Sequence, residues 1–194
     1  GDGEVIDGDQ LVYIIAMHRA ADGGLGGGVV GTLMSNFGLE LAFKEAGIGF
    51  HRADVGDRYV LEGLKARGWS LGGESSGHII CLDLTTTGDA IIAALQVLGA
   101  VQESGKSLKS LASGMRKMPQ VLKNVSVENP RERAVSKAVL AAVAEKTEAL
   151  ADRGRVLIRP SGTEPVVRVM VEGEDAKEVN TVADELVEVV GGGR

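Results

Sequence analysis

Short apolar runs alternate with amphipathic stretches along this chain, and their spacing predicts an α/β fold. Gly1 to Asp9 reads as a turn, a short strand and a second turn. Gln10 to Ala21 is apolar around most of its circumference and predicts a well-buried helix, with Asp7 or Asp9 as its N-cap. His18 and Arg19 fall in its last turn, where positive charge suits a helix C-terminus, and His18 reads as solvated or capping. A loose glycine connector, 22–28, follows; it comes after a helix and before a strand, so it is not a dinucleotide fingerprint. Val29 to Met34 predicts a buried strand, and Ser35 or Asn36 caps a helix that Gly47 ends. Ile48 to Ala53 is a second strand. A helix runs from Tyr59 to about Ala66, and Trp69 to Leu71 leads into a glycine-rich loop. His78 to Asp83 is a third strand. Helices follow at 88–103 and 108–115. This alternation predicts a mixed, largely parallel α/β domain, with ligands at the carboxyl ends of the strands.

A boundary is expected between Gly114 and Pro119, separating a domain over 7–116 from a smaller one over 117–194. In the second, Gln120 to Val127 is a strand, and Asn129-Pro130 opens a helix that runs to about Ala151. Strands at 155–159 and 166–172 and a helix at 175–190 complete a β-α-β-β-α pattern. That pattern predicts an α+β domain, a sheet covered by two helices. Residues 191–194 read as a frayed end.

With 21 basic against 27 acidic residues the net charge is −6, which argues against a non-specific nucleic-acid binder. A small anion is still allowed, because local arginines decide that. No apolar run is long enough to span a bilayer, and no signal peptide is seen. Cys81, the single cysteine, sits in an apolar run and reads as a buried thiol, which suits a reducing cytoplasm. No Cys/His spacing suggests zinc. The chain begins without Met, which suggests a fragment or a trimmed protein.

Three stretches carry candidate chemistry. Arg159-Pro160-Ser161-Gly162-Thr163-Glu164-Pro165 lies between two apolar strands and puts a guanidinium, two hydroxyls and a glycine into one turn. Arg168 lies three residues beyond. A phosphate needs converging N–H donors, hydroxyls and a planar cation, so the turn suits that ligand; read alone, an ordinary hairpin turn is the favoured reading. Glu74, Ser76 and His78, flanked by Gly73 and Gly77, supply the mixed donors and acceptors that sugar hydroxyls require; the alternative is a hydrophilic loop. Asp57 reads as an N-cap and Arg58 as a solvated first-turn residue, unless the segment faces a ligand. Ser161 is not in a G-x-S-x-G elbow, and Ser75 and Ser76 beside His78 lack a third orienting group, so a hydrolase is disfavoured.

Read together, Gly73 to His78, Arg159 to Pro165 and Val55-Gly56-Asp57-Arg58-Tyr59-Val60 resemble the α-D-phosphohexomutase superfamily, most closely its phosphoglucosamine mutase branch. The resemblance spans the chain but matches only the second part of such an enzyme. It implies that 1–6 is a remnant of a preceding domain and that 7–116 is the family's third, sugar-binding domain. It implies that Arg159, Ser161, Gly162, Thr163 and Arg168 hold the substrate phosphate, and that Glu74, Ser76, His78 and Arg58 meet the sugar. Ser75 stands where the family carries a larger Gln, Asn or Met. The implied reaction interconverts the 6- and 1-phosphates of a hexosamine through a bisphosphate, using an enzyme phosphoserine and Mg2+. The intermediate must turn end for end, so the C-terminal domain is expected to move as a lid. Neither the phosphoserine context nor the DGDGDR metal loop is found here. Asp7 and Asp9 match the family's capping DGDQ, so no catalytic or metal-ligating residue is expected in this chain. The chain alone is expected to be inactive. Its expected partners are a phosphorylated hexosamine and the N-terminal half of the same enzyme, with a second copy in a homo-dimer as a further candidate. A phosphomannomutase or phosphoglucomutase, or a non-catalytic phosphosugar-binding module, is the alternative.

Overall fold

The computed structural model describes residues 3–192. The expectations for Gly1, Asp2, Gly193 and Arg194 lie outside the described residues. The chain divides into two compact units, Gly1–Lys117 and Met118–Arg194.

The first unit contains α1 (Gly8–Ala21), β1 (Gly28–Thr32), α2 (Phe37–Glu45), β2 (Gly49–Ala53), α3 (Asp57–Arg67), β3 (Leu71–Gly73), β4 (Ile79–Cys81), α4 (Ala90–Ser104) and α5 (Leu108–Ala112). Its sheet has the order β2-β1-β3-β4. β1 runs parallel to β2 and β3, and β4 closes antiparallel against β3. Both faces of β1 are buried, because alternate side chains point to opposite sides. Val29 joins Val12, Ile15, Leu39 and Phe43 from α1 and α2. Val30 joins Val60 and Leu64 from α3. The result is a helix–sheet–helix sandwich whose parallel strands deliver three loops to one edge.

Four expectations change here. Glu4 to Asp7 form no strand, and Val5 is 85% exposed, with no strand pairing it among the described residues. The strand Leu71–Gly73 was hidden, because glycines carry no β signal. The strand expected from His78 shrinks to Ile79–Cys81, leaving His78 in the turn. Asp57 is not an N-cap: Gly56 holds that position and Asp57 is the first helical residue. Cys81 is buried as expected, and burial pushes its thiol pKa up.

The second unit contains β5 (Gln120–Ser126), α6 (Pro130–Ala134), α7 (Lys137–Leu150), a 3-10 turn at Ala151–Arg153, β6 (Gly154–Pro160), β7 (Val166–Gly173) and α8 (Ala176–Gly191). Its sheet has the order β5-β7-β6 and is antiparallel throughout. Val167, Val169 and Val171 line one face of β7 and pack with Val179, Ala183 and Leu186 of α8 and Val139 of α7. The single helix expected over 129–151 is broken at Val135 and Ser136. Ser136 adopts an extended N-cap conformation, φ −64° and ψ 148°. Arg133 is drawn to the carbonyls of Val189 and Val190 at the end of α8, at 2.6 and 2.7 Å. Ser136 Oγ makes no capping hydrogen bond and is buried without a partner, so the break is not held by its side chain.

Candidate functional site

In the first unit, the carboxyl ends of β1, β2 and β3 lead into loops on the same edge of the sheet. The loop after β3 is a tight hairpin. The Glu74 N–H donates to the His78 carbonyl at 3.0 Å, and the Gly77 N–H donates to the Glu74 carbonyl at 2.9 Å. Gly77 takes φ +96°, which a residue with a side chain rarely adopts. The hairpin rests on the start of α1. The Gly8 N–H donates to the Ser75 carbonyl at 3.0 Å. A Cβ on Gly8 would lie 2.1 Å from the Glu74 oxygen, so only glycine allows this approach. Asp7 fixes the helix start with a capping box to Gln10 and pairs with Lys117.

Of the predicted sugar-contacting residues, Ser76 and His78 face outward together, with Ser76 Oγ and His78 Nδ1 3.2 Å apart and His78 70% exposed. Glu74 is different. Its side chain is 12% exposed, and Oε1 accepts the Gly56 N–H at 3.0 Å. One carboxylate oxygen therefore ties the loop after β2 to the loop after β3. Arg58, two residues past that tether, is 79% exposed and pairs with Glu62 at 2.9 Å along α3.

Sequence reasoning missed the third loop, 33–36 after β1. Arg52 Nη1 donates to the carbonyls of Thr32 at 3.0 Å and Ser35 at 2.6 Å, and Nε donates to Glu40 at 2.9 Å. From α1, Asp9 accepts the Asn36 N–H at 2.8 Å. Asp9 is 2% exposed, and burial raises its pKa to about 6 against the opposing Asn36 hydrogen bond. The signal was present in the DGDQ string, but its second aspartate read as a cap and not as a brace. Native Asp9 binds its proton more tightly than the unfolded chain does, so its ionisation costs on the order of 3 kcal/mol at neutral pH. That cost disappears as pH falls from about 6 toward 4. Asp9→Asn keeps an acceptor for Asn36 and should flatten the pH dependence of the melting temperature between pH 4 and 7. An unchanged slope would remove Asp9 as its source.

His18, expected as solvated or capping, and Arg19 both find side-chain partners at the end of α1. His18 Nε2 lies 3.2 Å from Glu103, and buried Arg19 binds Asp83 at 3.0 Å and Gln96 at 2.9 Å.

In the second unit, the β6–β7 turn holds the predicted phosphate residues together. Arg159 and Arg168 are directly opposed in register. Two like charges so placed repel unless an anion lies between or beside them. Arg168 Nη2 pairs with Glu164 at 3.1 Å, and its buried Nε has no hydrogen-bond partner. The Ser161 N–H donates to the Val166 carbonyl at 2.9 Å and closes the turn. Ser161 Oγ accepts the N–H groups of Thr163 at 3.4 Å and Glu164 at 3.3 Å, so backbone donors converge there. A Cβ on Gly162 would meet nothing within 4 Å, so the space beside it is open. A cleft of about 330 Å³ adjoins the turn, lined also by Asn129, Arg131 and Glu132. Sequence reasoning did not place these three. The link was the strand order: β5 pairs with β7, and the Val127 N–H donates to the Pro165 carbonyl at 3.1 Å, so the start of α6 emerges beside the turn.

Two sheet units, each with a polar loop cluster at one end, correspond to known domains. The family model described as phosphoglucomutase/phosphomannomutase, alpha/beta/alpha domain III, matches residues 7–118. The model for the phosphoglucomutase/phosphomannomutase C-terminal domain matches residues 122–189. The chain belongs to this phosphohexomutase family. Among its curated relatives, the phosphoglucosamine mutase of Teredinibacter turnerae is 56% identical over 189 residues, covering 97% of this chain and 42% of the relative. That of Thioalkalivibrio sulfidiphilus is 57% identical over 191 residues, with the same coverage. The chain thus spans less than half the length of these relatives. Aspergillus fumigatus N-acetylphosphoglucosamine mutase, solved in complex with GlcNAc-6P and magnesium, shares the fold, with a TM-score of 0.78 at 21% identity over 96% of this chain and 47% of that one. A phosphoglucomutase/phosphomannomutase family protein from Burkholderia thailandensis gives 0.72 at 18% identity over 97% of this chain and 43% of that one. No helix among the described residues is long and apolar enough to cross a membrane.

Proposed function

We propose that this chain is the sugar- and phosphate-gripping part of a phosphoglucosamine mutase, which interconverts glucosamine 6-phosphate and glucosamine 1-phosphate through a bisphosphate and an enzyme phosphoserine. The observation that carries this reading is the 56% identity to a phosphoglucosamine mutase across 97% of the chain. The geometry agrees with it. Arg159 and Arg168, the Ser161 hydroxyl and the backbone around Gly162 and Thr163 would hold the phosphate that is not reacting. Ser76 and His78 would bind sugar hydroxyls, with Arg58 free to swing from Glu62 toward the ligand. Glu74 would orient the loops through Gly56 as well as meeting the sugar. In this reading the domain boundary falls near residue 117, the second unit moves as a lid, and the protein works in the cytoplasm, with a homo-dimer as its candidate assembly.

Mg2+ in the full-length enzyme would offset charge developing on the transferred phosphoryl group. The acids nearest in pattern do not fit it: Asp7 caps α1 and pairs with Lys117, and Asp9 is buried on the Asn36 N–H. The phosphoserine and metal loop would both belong to the preceding part of the protein. The chain alone should therefore show no turnover of glucosamine 6-phosphate. A chimera joining it to the preceding part of the Teredinibacter turnerae enzyme should turn the substrate over, and faster than mannose or glucose 6-phosphate. Turnover by the pure chain would refute the division of labour. Preference for mannose or glucose 6-phosphate would move the protein to another branch of the family.

A further inference from the structure

Helix α4 presents an exposed face that no solvated helix would choose. Its residues Ile91, Leu95 and Leu98 are 73%, 58% and 60% exposed. With Ala94 and Gln102, also exposed, they recur every three or four residues and form one stripe along the helix. No charged residue occurs from Ala90 to Gln102. The opposite face is occupied: Ala93, Val97 and Ala100 are buried in the core of the first unit. A helix apolar on both faces is normally buried on both. Helix α8 shows the ordinary pattern, exposing Lys177, Asn180, Asp184, Glu185 and Glu188 opposite its buried side.

We infer that the Ile91–Leu95–Leu98 stripe docks the apolar face of the domains that precede this chain in the full-length protein. The inference rests on the proposed function and adds the surface through which the two parts meet. Two observations select this occupant over a second copy. The matched family model is numbered as a third domain, and this chain covers only 42% of its relatives, so they carry a large segment beyond it. The stripe is also small: three large side chains fall well short of the roughly 20–30 residues a side, about 800 Å² per partner, of a stable free interface. A covalently tethered partner needs no such area, because tethering supplies an effective concentration in the millimolar range.

The test is carbene footprinting of Leu95 and Leu98 in this chain and in the chimera with the preceding part of the Teredinibacter turnerae enzyme. Labelling should fall at least about fivefold in the chimera. Leu95→Glu/Leu98→Glu should lower the melting temperature of the chimera and leave that of the isolated chain unchanged. Equal labelling in both proteins would overturn the inference, as would an equal loss of stability in both. So would sedimentation showing that the isolated chain dimerises and is protected at α4. Footprinting the matching helix of the unmodified Teredinibacter turnerae enzyme gives the same contrast if the chimera does not fold: protection supports the docking, and free labelling refutes it. Turnover separates the two readings. A protected but inactive chimera supports the docking and refutes the reaction; an active chimera with α4 fully labelled refutes the docking alone.

Discussion

Gly8→Ala should destabilise the first unit by about 3 kcal/mol, at the upper end of overpacking costs. The new methyl would sit 2.1 Å from the Glu74 oxygen and 2.6 Å from the Gly77 nitrogen. Both are backbone atoms of a closed hairpin, so neither can rotate away. Either α1 or the 74–78 loop must shift, and the Gly8 to Ser75 hydrogen bond is lost with it. A unit of this size should lose roughly 10 °C in melting temperature. The same shift would displace Ser76 and His78, so binding of a sugar ligand should weaken together with stability. A melting temperature within a degree or two of the parent would mean that α1 does not brace the loop.

Arg155→Ala should be costlier, about 3–5 kcal/mol, because it removes one side of a buried ion pair. Glu172 on β7 is 0% exposed, pairs with Arg155 on β6 and accepts from Gln120 on β5 at 2.8 Å. All three strands of the sheet meet at this carboxylate. Without Arg155, the buried Glu172 carboxylate loses its opposing charge. Replacing both members by apolar residues of similar size, Arg155→Met with Glu172→Met, should recover most of the loss. Chemical denaturation of the two single variants and the double variant measures the coupling. Additive losses, with no recovery in the double variant, would show that the pair is not what stabilises this edge of the hairpin.

Much of this architecture was legible in the sequence because most elements obey local rules. Asn36 caps α2, Asp7 caps α1, and Val29-Val30 reads as a strand buried on both faces, as found. The turn from Pro160 to Pro165 was visible because its two prolines and its glycine favour little else. What escaped the sequence depends on tertiary contact. β3 is a strand because β1 and β4 flank it, not because Leu71-Gly72-Gly73 favours one. The break at Ser136 accompanies a tertiary contact, Arg133 reaching the end of α8. Glu74 was singled out for a ligand, and the structure gives one of its oxygens to the Gly56 N–H. Asp9 and Arg52 hold the 33–36 loop through backbone partners distant in sequence, a role that no string of residues announces. Residues whose function is to fix other loops carry no motif of their own.

In the proposed function the 159–168 turn grips the phosphate of a phosphorylated hexosamine. A thermal-shift titration of this chain with glucosamine 6-phosphate, repeated with Arg159→Ala, tests it most directly. Ligand at about 100 times its dissociation constant should stabilise the native chain by roughly 2.7 kcal/mol by mass action, and Arg159→Ala should abolish that gain. No shift at millimolar ligand, or an equal shift in Arg159→Ala, would contradict it.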